Sequence, residues 1–359
     1  MSDQVRAAAA PIDERMAASL LPPRPVRGHK GTFGKLLVIA GSLDYAGAAL
    51  LVCRAAGRAG AGLVTLAVPE SLQPLFAAKV EEATTMALPE DDVEEVDPEP
   101  ALAKVLDHDH DALVVGPGLR ASLATGDLVR GILAVGGDPD PAPAVVDAEA
   151  LRSLASEDGW WEGIRRRAVL TPHTGEFVRL RAASGVDAGS DGDLIGDDGA
   201  RATAAADAAM AWGQVVVLKG ARTVVASPAG ETAVAPFENP ALASGGTGDV
   251  LAGTIGALLA QGLAPYDAAR LGVHLHGAAG EAVRHRIGDA GLLASDLPWE
   301  IALARRRLHD IADRETRGRR VGFGAHEASA GAVILDGQTD AASVAVAGDG
   351  AGADATGDA

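Results

Sequence analysis

Asn239-Pro240-Ala241-Leu242-Ala243-Ser244-Gly245-Gly246-Thr247-Gly248-Asp249, running directly into the apolar stretch 250–260, is the segment on which the reading of this chain turns. Glycines just ahead of a helix let backbone N–H groups converge on an anion, and the helix N-terminus adds partial positive charge. The amides of Gly245, Gly246, Thr247 and Gly248 are therefore a candidate anion hole. Asp249 falls in the first turn, at the mouth of that hole. There it is placed to take a proton from a hydroxyl attacking a bound phosphate. A purely structural reading exists: a helix cap with glycines for a tight turn and an Asp that complements the helix dipole. The full Asn-Pro to Gly-Asp string is much more specific than such a cap requires. It is not a phosphate-binding loop of the GxxxxGK[ST] kind, which occurs nowhere in the chain.

Upstream of this helix, short β-branched runs recur at 35–40, 63–68, 112–115, 144–146, 168–170 and 215–219. Ala-rich stretches of helical length separate them, at 48–59, 72–79, 123–133, 148–154, 175–182 and 202–212. Strands that are apolar on both faces and alternate with helices predict an α/β fold, a mostly parallel sheet with helices on both sides. A hairpin is expected from 224–226 and 232–235, turning near Pro228–Gly230. The pattern then becomes helical, at 250–261, 266–284 and 292–306. Segments 90–100 and 185–199 read as loops from their acidic, Pro- and Gly-rich composition.

Other chemistry-bearing residues fall where strands end. Val215-Val216-Val217-Leu218-Lys219-Gly220-Ala221-Arg222-Thr223 is a buried strand closing on Lys-Gly, and a Lys there faces the crevice in which open α/β sheets bind ligands. Leu170-Thr171-Pro172-His173-Thr174-Gly175-Glu176 ends a strand at Pro172 and opens a helix. Val114-Val115-Gly116-Pro117-Gly118-Leu119 enters a turn where backbone can approach a ligand closely. Ala40-Gly41-Ser42 with Tyr45-Ala46-Gly47-Ala48 is a small-residue loop entering a helix. Each alone is an ordinary turn; their co-occurrence in this order on strand ends is informative.

On those motifs the chain resembles the ADP-dependent NAD(P)H-hydrate dehydratases, from about Gly28 to about Leu308. The resemblance implies a ribokinase-like three-layer fold for residues 28–308, with 1–27 an N-terminal extension; residues 309–359 read from their Ala/Gly/Asp-rich composition as a largely disordered tail. It implies a lyase that uses ADP to dehydrate the S-epimer of hydrated NADH or NADPH (NADHX, NADPHX), releasing AMP and phosphate. It makes Asp249 the catalytic base; Ala48, Gly118, His173 and Asp249 the hydrate contacts; and Lys219, Gly220, Ala221, Arg222, Thr223 and Gly248 the nucleotide contacts. Mg²⁺ is expected with the nucleotide, a homotetramer as the assembly, and epimerase activity from a separate protein. Arg120 stands where a Gly is expected after Gly-Pro-Gly-Leu, and Thr174 where Pro is common. The rival enzyme reading is a small-molecule kinase of the same fold, such as a vitamin-precursor kinase. A nucleotide-binding module without catalysis is disfavoured, since pure binding needs no base in the anion hole.

Composition bounds the rest. The 359 residues are 48% hydrophobic, enough for a substantial core, and carry a formal charge of −18. A surface so acidic repels phosphodiester backbones and anionic lipid, so neither nucleic acid nor membrane is an expected partner. Cys53 is the single cysteine, which excludes an intramolecular disulfide. The first twenty residues lack the basic and apolar regions of a secretion signal, and no uninterrupted apolar run is long enough to span a bilayer, so a cytoplasmic protein is expected. Asp107-His108-Asp109-His110-Asp111 looks metal-like but alternates as a solvated loop does. His274 and His276, two apart on a helix, do not share a face for a common metal.

Overall fold

A computed structural model describes residues 9–185 and 194–327, with side chains described through residue 314. The chain divides into two units, Met1–Arg314 and Glu315–Ala359. The sheet and both cavities discussed below lie in the first.

In chain order the elements are β1 (Ala10–Pro11), α1 (Glu14–Ser19), β2 (Lys35–Ile39), α2 (Ala46–Ala59), β3 (Leu63–Pro69), α3 (Gln73–Ala77) and β4 (Thr84–Leu88). Then come β5 (Glu90–Asp92), β6 (Glu95–Val96), α4 (Pro98–Asp107), β7 (Ala112–Val115), α5 (Leu123–Ala134), β8 (Ala144–Val146) and α6 (Glu149–Leu154). The chain continues through β9 (Ala168–Leu170), α7 (Thr174–Ser184), α8 (Asp198–Trp212), β10 (Val215–Leu218), β11 (Val224–Ala226) and β12 (Thr232–Val234). It finishes with α9 (Thr247–Ala260), α10 (Pro265–Ile287) and α11 (Leu297–Glu327).

Among the described residues ten strands form one sheet in the order β1-β12-β11-β10-β9-β8-β7-β2-β3-β4. From β10 to β4 every neighbouring pair is parallel, and only β11 pairs antiparallel with both of its neighbours. Alternation along β2 explains the layering. Leu36 and Val38 pack into one apolar core with α2, α9 and α10, whereas Leu37 and Ile39 face a second core built with α4 to α8. Both faces of the strand are dry, so its sequence reads as continuously apolar.

Helix α9 is buried nearly all round, between the sheet and α2. Gly253 makes that possible: a Cβ there would lie 2.4 Å from the Val52 carbonyl oxygen of α2. With both faces covered, the helix is held rigidly and its N-terminus is delivered to the carboxyl ends of the central strands. Between β2 and β7 the strand order reverses, with β3 and β4 to one side and β8, β9 and β10 to the other. Ligand crevices of open parallel sheets form at such a reversal.

The structure departs from the sequence expectations at identifiable places. Residues 10–20, set apart above as an extension, contribute β1, paired in parallel with β12, and α1, which contacts α10. Segment 90–100 is no loop: β5 and β6 pair antiparallel and α4 begins at Pro98. Acidic strand residues are poor strand formers, so tertiary context overrides propensity there. A strand at Thr84–Leu88 was not anticipated, and the last helix runs to Glu327 instead of 306. Most of the tail expected from residue 309 onward, from 328 to 359, lies outside the described residues.

Candidate active site

Gly246 begins α9 with φ of 88°, a left-handed backbone that a side chain would strain, and no side chain caps the helix. The Thr247 amide donates back to the Ser244 carbonyl at 3.4 Å, and those of Gly248 and Asp249 are left for a ligand. Three hydrogen bonds fix the turn itself. The Thr247 hydroxyl donates to the carbonyls of Leu242 at 2.8 Å and Ser244 at 3.0 Å. From α10, His276 Nε2 lies 2.9 Å from the Thr247 carbonyl. Burial, followed by the charge of Lys219, drives the His276 pKa down to about 4 against the opposing pull of that hydrogen bond. The ring is therefore neutral and donates from Nε2.

Lys219 stands at the end of β10 and reaches Asp147 Oδ1 at 2.7 Å and Glu176 Oε2 at 4.0 Å. Burial disfavours its charge, but Asp147, Glu176 and Asp249 outweigh burial and hold its pKa above the ordinary lysine value. Asp147 is 1% exposed, so this ion pair is a fixed part of the interior. The next residue, Ala148, has φ of 51°, the kind of backbone strain that clusters at ligand sites. Beneath the Lys219 turn, buried Arg201 donates to the carbonyls of Leu218 and Lys219 at 3.1 and 3.2 Å, setting the strand end in place.

Asp249 sits close by. Its pKa is pushed up to about 7, chiefly by burial and then by the negative charge of Asp147, with Lys219 opposing. A carboxylate with that pKa is matched to proton abstraction near neutral pH. A Cβ built on Gly246 would lie 3.7 Å from Asp249 Oδ2, and one on Gly248 would lie 3.4 Å from Lys219 Nζ. Glycine loop, base and lysine are thus packed against one another.

Two cavities meet at this turn. One, about 410 Å³, is lined by Lys219, Gly220, Ala221, Thr223, Thr247 and Gly248 together with apolar residues such as Phe237, Leu242 and Val273. The other, about 400 Å³, is lined by Ala48, Gly118 and Asp249, with Glu176 and residues of the loop after Gly118. Gly118 has φ of 66°, and a Cβ there would press within 2.8 Å of the Ala48 Cβ. The residues singled out from sequence therefore separate into two groups that share the first turn of α9.

Some candidates fall outside both linings. His173 Nδ1 accepts hydrogen bonds from the amides of Gly175 and Glu176, and Glu176 accepts in return from the His173 amide. This is a reciprocal helix cap, and Glu176 lines the cleft where His173 was expected. Arg222 leans toward Asp198 and Glu238 instead of into the first cavity. Gly245 and Gly246 form the turn without lining either space. Asp147 and His276 are the members that sequence reasoning missed; an Asp at the close of strand 144–146 was the available signal, by the same logic that selected Lys219. Among the described residues no group of three His, Cys, Asp or Glu side chains is placed to hold a metal ion. In the 107–111 segment Asp109 pairs with Lys35 and Asp111 accepts from the Lys35 amide at 2.8 Å. No described helix is long and apolar enough to cross a membrane.

Residues 36–302 match the family model described as NAD(P)H-hydrate dehydratase. A bifunctional NAD(P)H-hydrate repair enzyme of Moorella thermoacetica is 43% identical over 281 residues, 78% of this chain and 50% of the relative. The chain thus spans about half the length of several of the curated relatives it matches. An ADP-dependent (S)-NAD(P)H-hydrate dehydratase of Neisseria meningitidis is 37% identical, over 79% of this chain and 87% of its own. Among solved structures, the Bacillus subtilis ADP/ATP-dependent NAD(P)H-hydrate dehydratase co-crystallized with ATP/Mg²⁺ superposes with a TM-score of 0.68 at 31% identity, covering 84% of this chain and 99% of that one.

Proposed function

The chain belongs to the NAD(P)H-hydrate dehydratase family, of ribokinase-like fold, and from that premise we propose that it dehydrates hydrated NADH and NADPH at the expense of ADP. The observation that carries the reading is the meeting of two cavities at one helix turn, with Asp249 facing one and Gly248 and Lys219 facing the other.

The chemistry follows from that arrangement. Hydroxide is a poor leaving group, so the ring hydroxyl of the hydrate must first be converted to a better one. The adenine nucleotide enters the first cavity, its terminal phosphoryl group at the first-turn amides of α9. The hydrate enters the second, its C6 hydroxyl against Asp249. Asp249 takes the hydroxyl proton, the oxygen attacks the terminal phosphorus of ADP, and AMP departs. The amides of the glycine turn and the Lys219 charge stabilise the transferring phosphoryl group. Phosphate then leaves C6, the adjacent ring carbon gives up a proton, and the dihydronicotinamide ring is restored. Mg²⁺, which typically binds through one or two carboxylates and the phosphates themselves, suits a site without a three-residue cage. Glu176, which lines the hydrate cleft, is the side chain it would share, and its contribution would be to neutralise phosphate charge. A homotetramer remains the proposed assembly.

The test is incubation of the protein with hydrated NADH and ADP while the dihydronicotinamide absorbance is followed. Recovery of absorbance with AMP as co-product supports the reading. A stable phosphorylated product made from ATP, without recovery, would favour a kinase.

A further inference from the structure

The hydrate cleft carries four carboxylates, Asp44, Glu149, Glu176 and Asp249, within a chain of formal charge −18. Its proposed ligand is an anion. The dinucleotide has a pyrophosphate bridge, and NADPHX adds a phosphomonoester that bears about −1.5 to −2 charges at neutral pH. Something in the cleft must offset that repulsion. Among the described residues lining it, the cationic side chains are Arg120 and Arg152.

Both are poised instead of spent. The Arg120 side chain is 59% exposed, and its one ion-pair partner, Glu94, is 3.7 Å away. Arg152 is 65% exposed and lies 3.4 Å from Glu149. Neither guanidinium makes a hydrogen bond within the described structure, in contrast to buried Arg166 and Arg201, which are tied to backbone carbonyls. A guanidinium with its fork of donors unengaged is suited to bidentate contact with phosphate oxygens. Arg120 follows directly on the Gly118-Leu119 turn that lines the hydrate cleft. Arg152 rises from α6, whose preceding turn carries Asp147 and the strained Ala148. The two cations thus reach the cleft from two elements whose positions are fixed by the active site itself.

We propose that Arg120 and Arg152 form a phosphate-gripping pair at the hydrate cleft, holding the phosphates of the dinucleotide and setting its affinity in this chain. The choice of ligand rests on the dehydratase reading, but the test does not require turnover. NADH and NADPH, the stable products, are titrated against the full-length protein by their fluorescence, using wild type, Arg120→Gly, Arg152→Gln and the double variant. Charge-assisted contacts of this kind correspond to roughly tenfold in affinity each, so Kd rises about tenfold in each single variant and further in the double. Arg179→Gln, an exposed control that changes net charge equally, leaves Kd unchanged. Loss for both ligands assigns the pair to the pyrophosphate; loss for NADPH alone assigns it to the phosphomonoester. Affinity for ADP, which occupies the other cavity, stays at the wild-type value in every variant. The proposal is overturned if Kd for both dinucleotides is unaffected in folded variants, if the Arg179 control weakens binding equally, if wild type binds neither dinucleotide, or if only ADP binding suffers. Absence of dehydration by wild type, with dinucleotide binding still dependent on the pair, would count against the proposed reaction and for the phosphate grip.

Discussion

Replacing Asp249 by Asn should make the protein more stable while removing its activity. Burial and the neighbouring Asp147 raise the Asp249 pKa from 3.8 to about 7. Below about pH 4 the group is protonated in both folded and unfolded chains and contributes no difference. Between there and about pH 7 the unfolded chain ionises while the folded one keeps its proton, so stability falls as pH rises. Above about pH 7 the folded protein carries the full penalty. At about 1.4 kcal/mol per pKa unit the ceiling is about 4 kcal/mol. Asn keeps the shape but not the titration. Its stability gain should therefore be near zero at about pH 4 and grow to about 2–4 kcal/mol at about pH 8. Urea denaturation of both proteins across that range measures it directly. Turnover should drop by about 10²–10⁴, the usual worth of a general base. An Asn variant no more stable than wild type at alkaline pH, or equally stabilised at every pH, would refute the claim that the fold pays to keep this carboxylate ready.

Further outcomes follow from the same geometry. Because Asp249 must be ionised to act, kcat/KM should rise about tenfold per pH unit on its acid limb and level off above about pH 7; a limb breaking at an ordinary carboxylate pKa contradicts the assignment. Lys219→Met leaves Asp147, 1% exposed, without its cation. That should cost about 3–5 kcal/mol in denaturation experiments, with Asp147→Asn in the same chain recovering most stability but not activity. Gly253→Val places side-chain atoms against the Val52 backbone; overpacking of this kind should lower stability by about 1–3 kcal/mol or more, and a melting temperature equal to wild type would show that α2 and α9 can separate freely.

Much of the fold was legible because its central strands are dry on both faces, so that runs such as 215–218 stand out as apolar blocks bounded by Gly or Pro. The glycine turn and Asp249 were legible because backbone amides and a carboxylate need nothing from distant residues to declare an anion site. Asp147 was not, since its meaning comes from Lys219, 72 residues later, and a lone Asp after a strand reads equally as a helix cap. His276 carries no signal in its own helix, because its partner is the Thr247 carbonyl on another one. His173 lies at the strand end as its motif implies; its Nδ1 caps its own helix, while Glu176, three residues on, lines the cleft. β1 is two residues long and β5 is entirely acidic, so neither carries a pattern that periodicity can detect.

The central claim is that the ring hydroxyl is phosphorylated before it leaves, and the fate of its oxygen tests this most directly. Hydrated NADH carrying heavy oxygen in the C6 hydroxyl is turned over with ADP, and the released phosphate is analysed by mass spectrometry. The account predicts one heavy oxygen in each inorganic phosphate formed, with AMP in equal amount. Heavy oxygen released as water, with unlabelled phosphate, would contradict it.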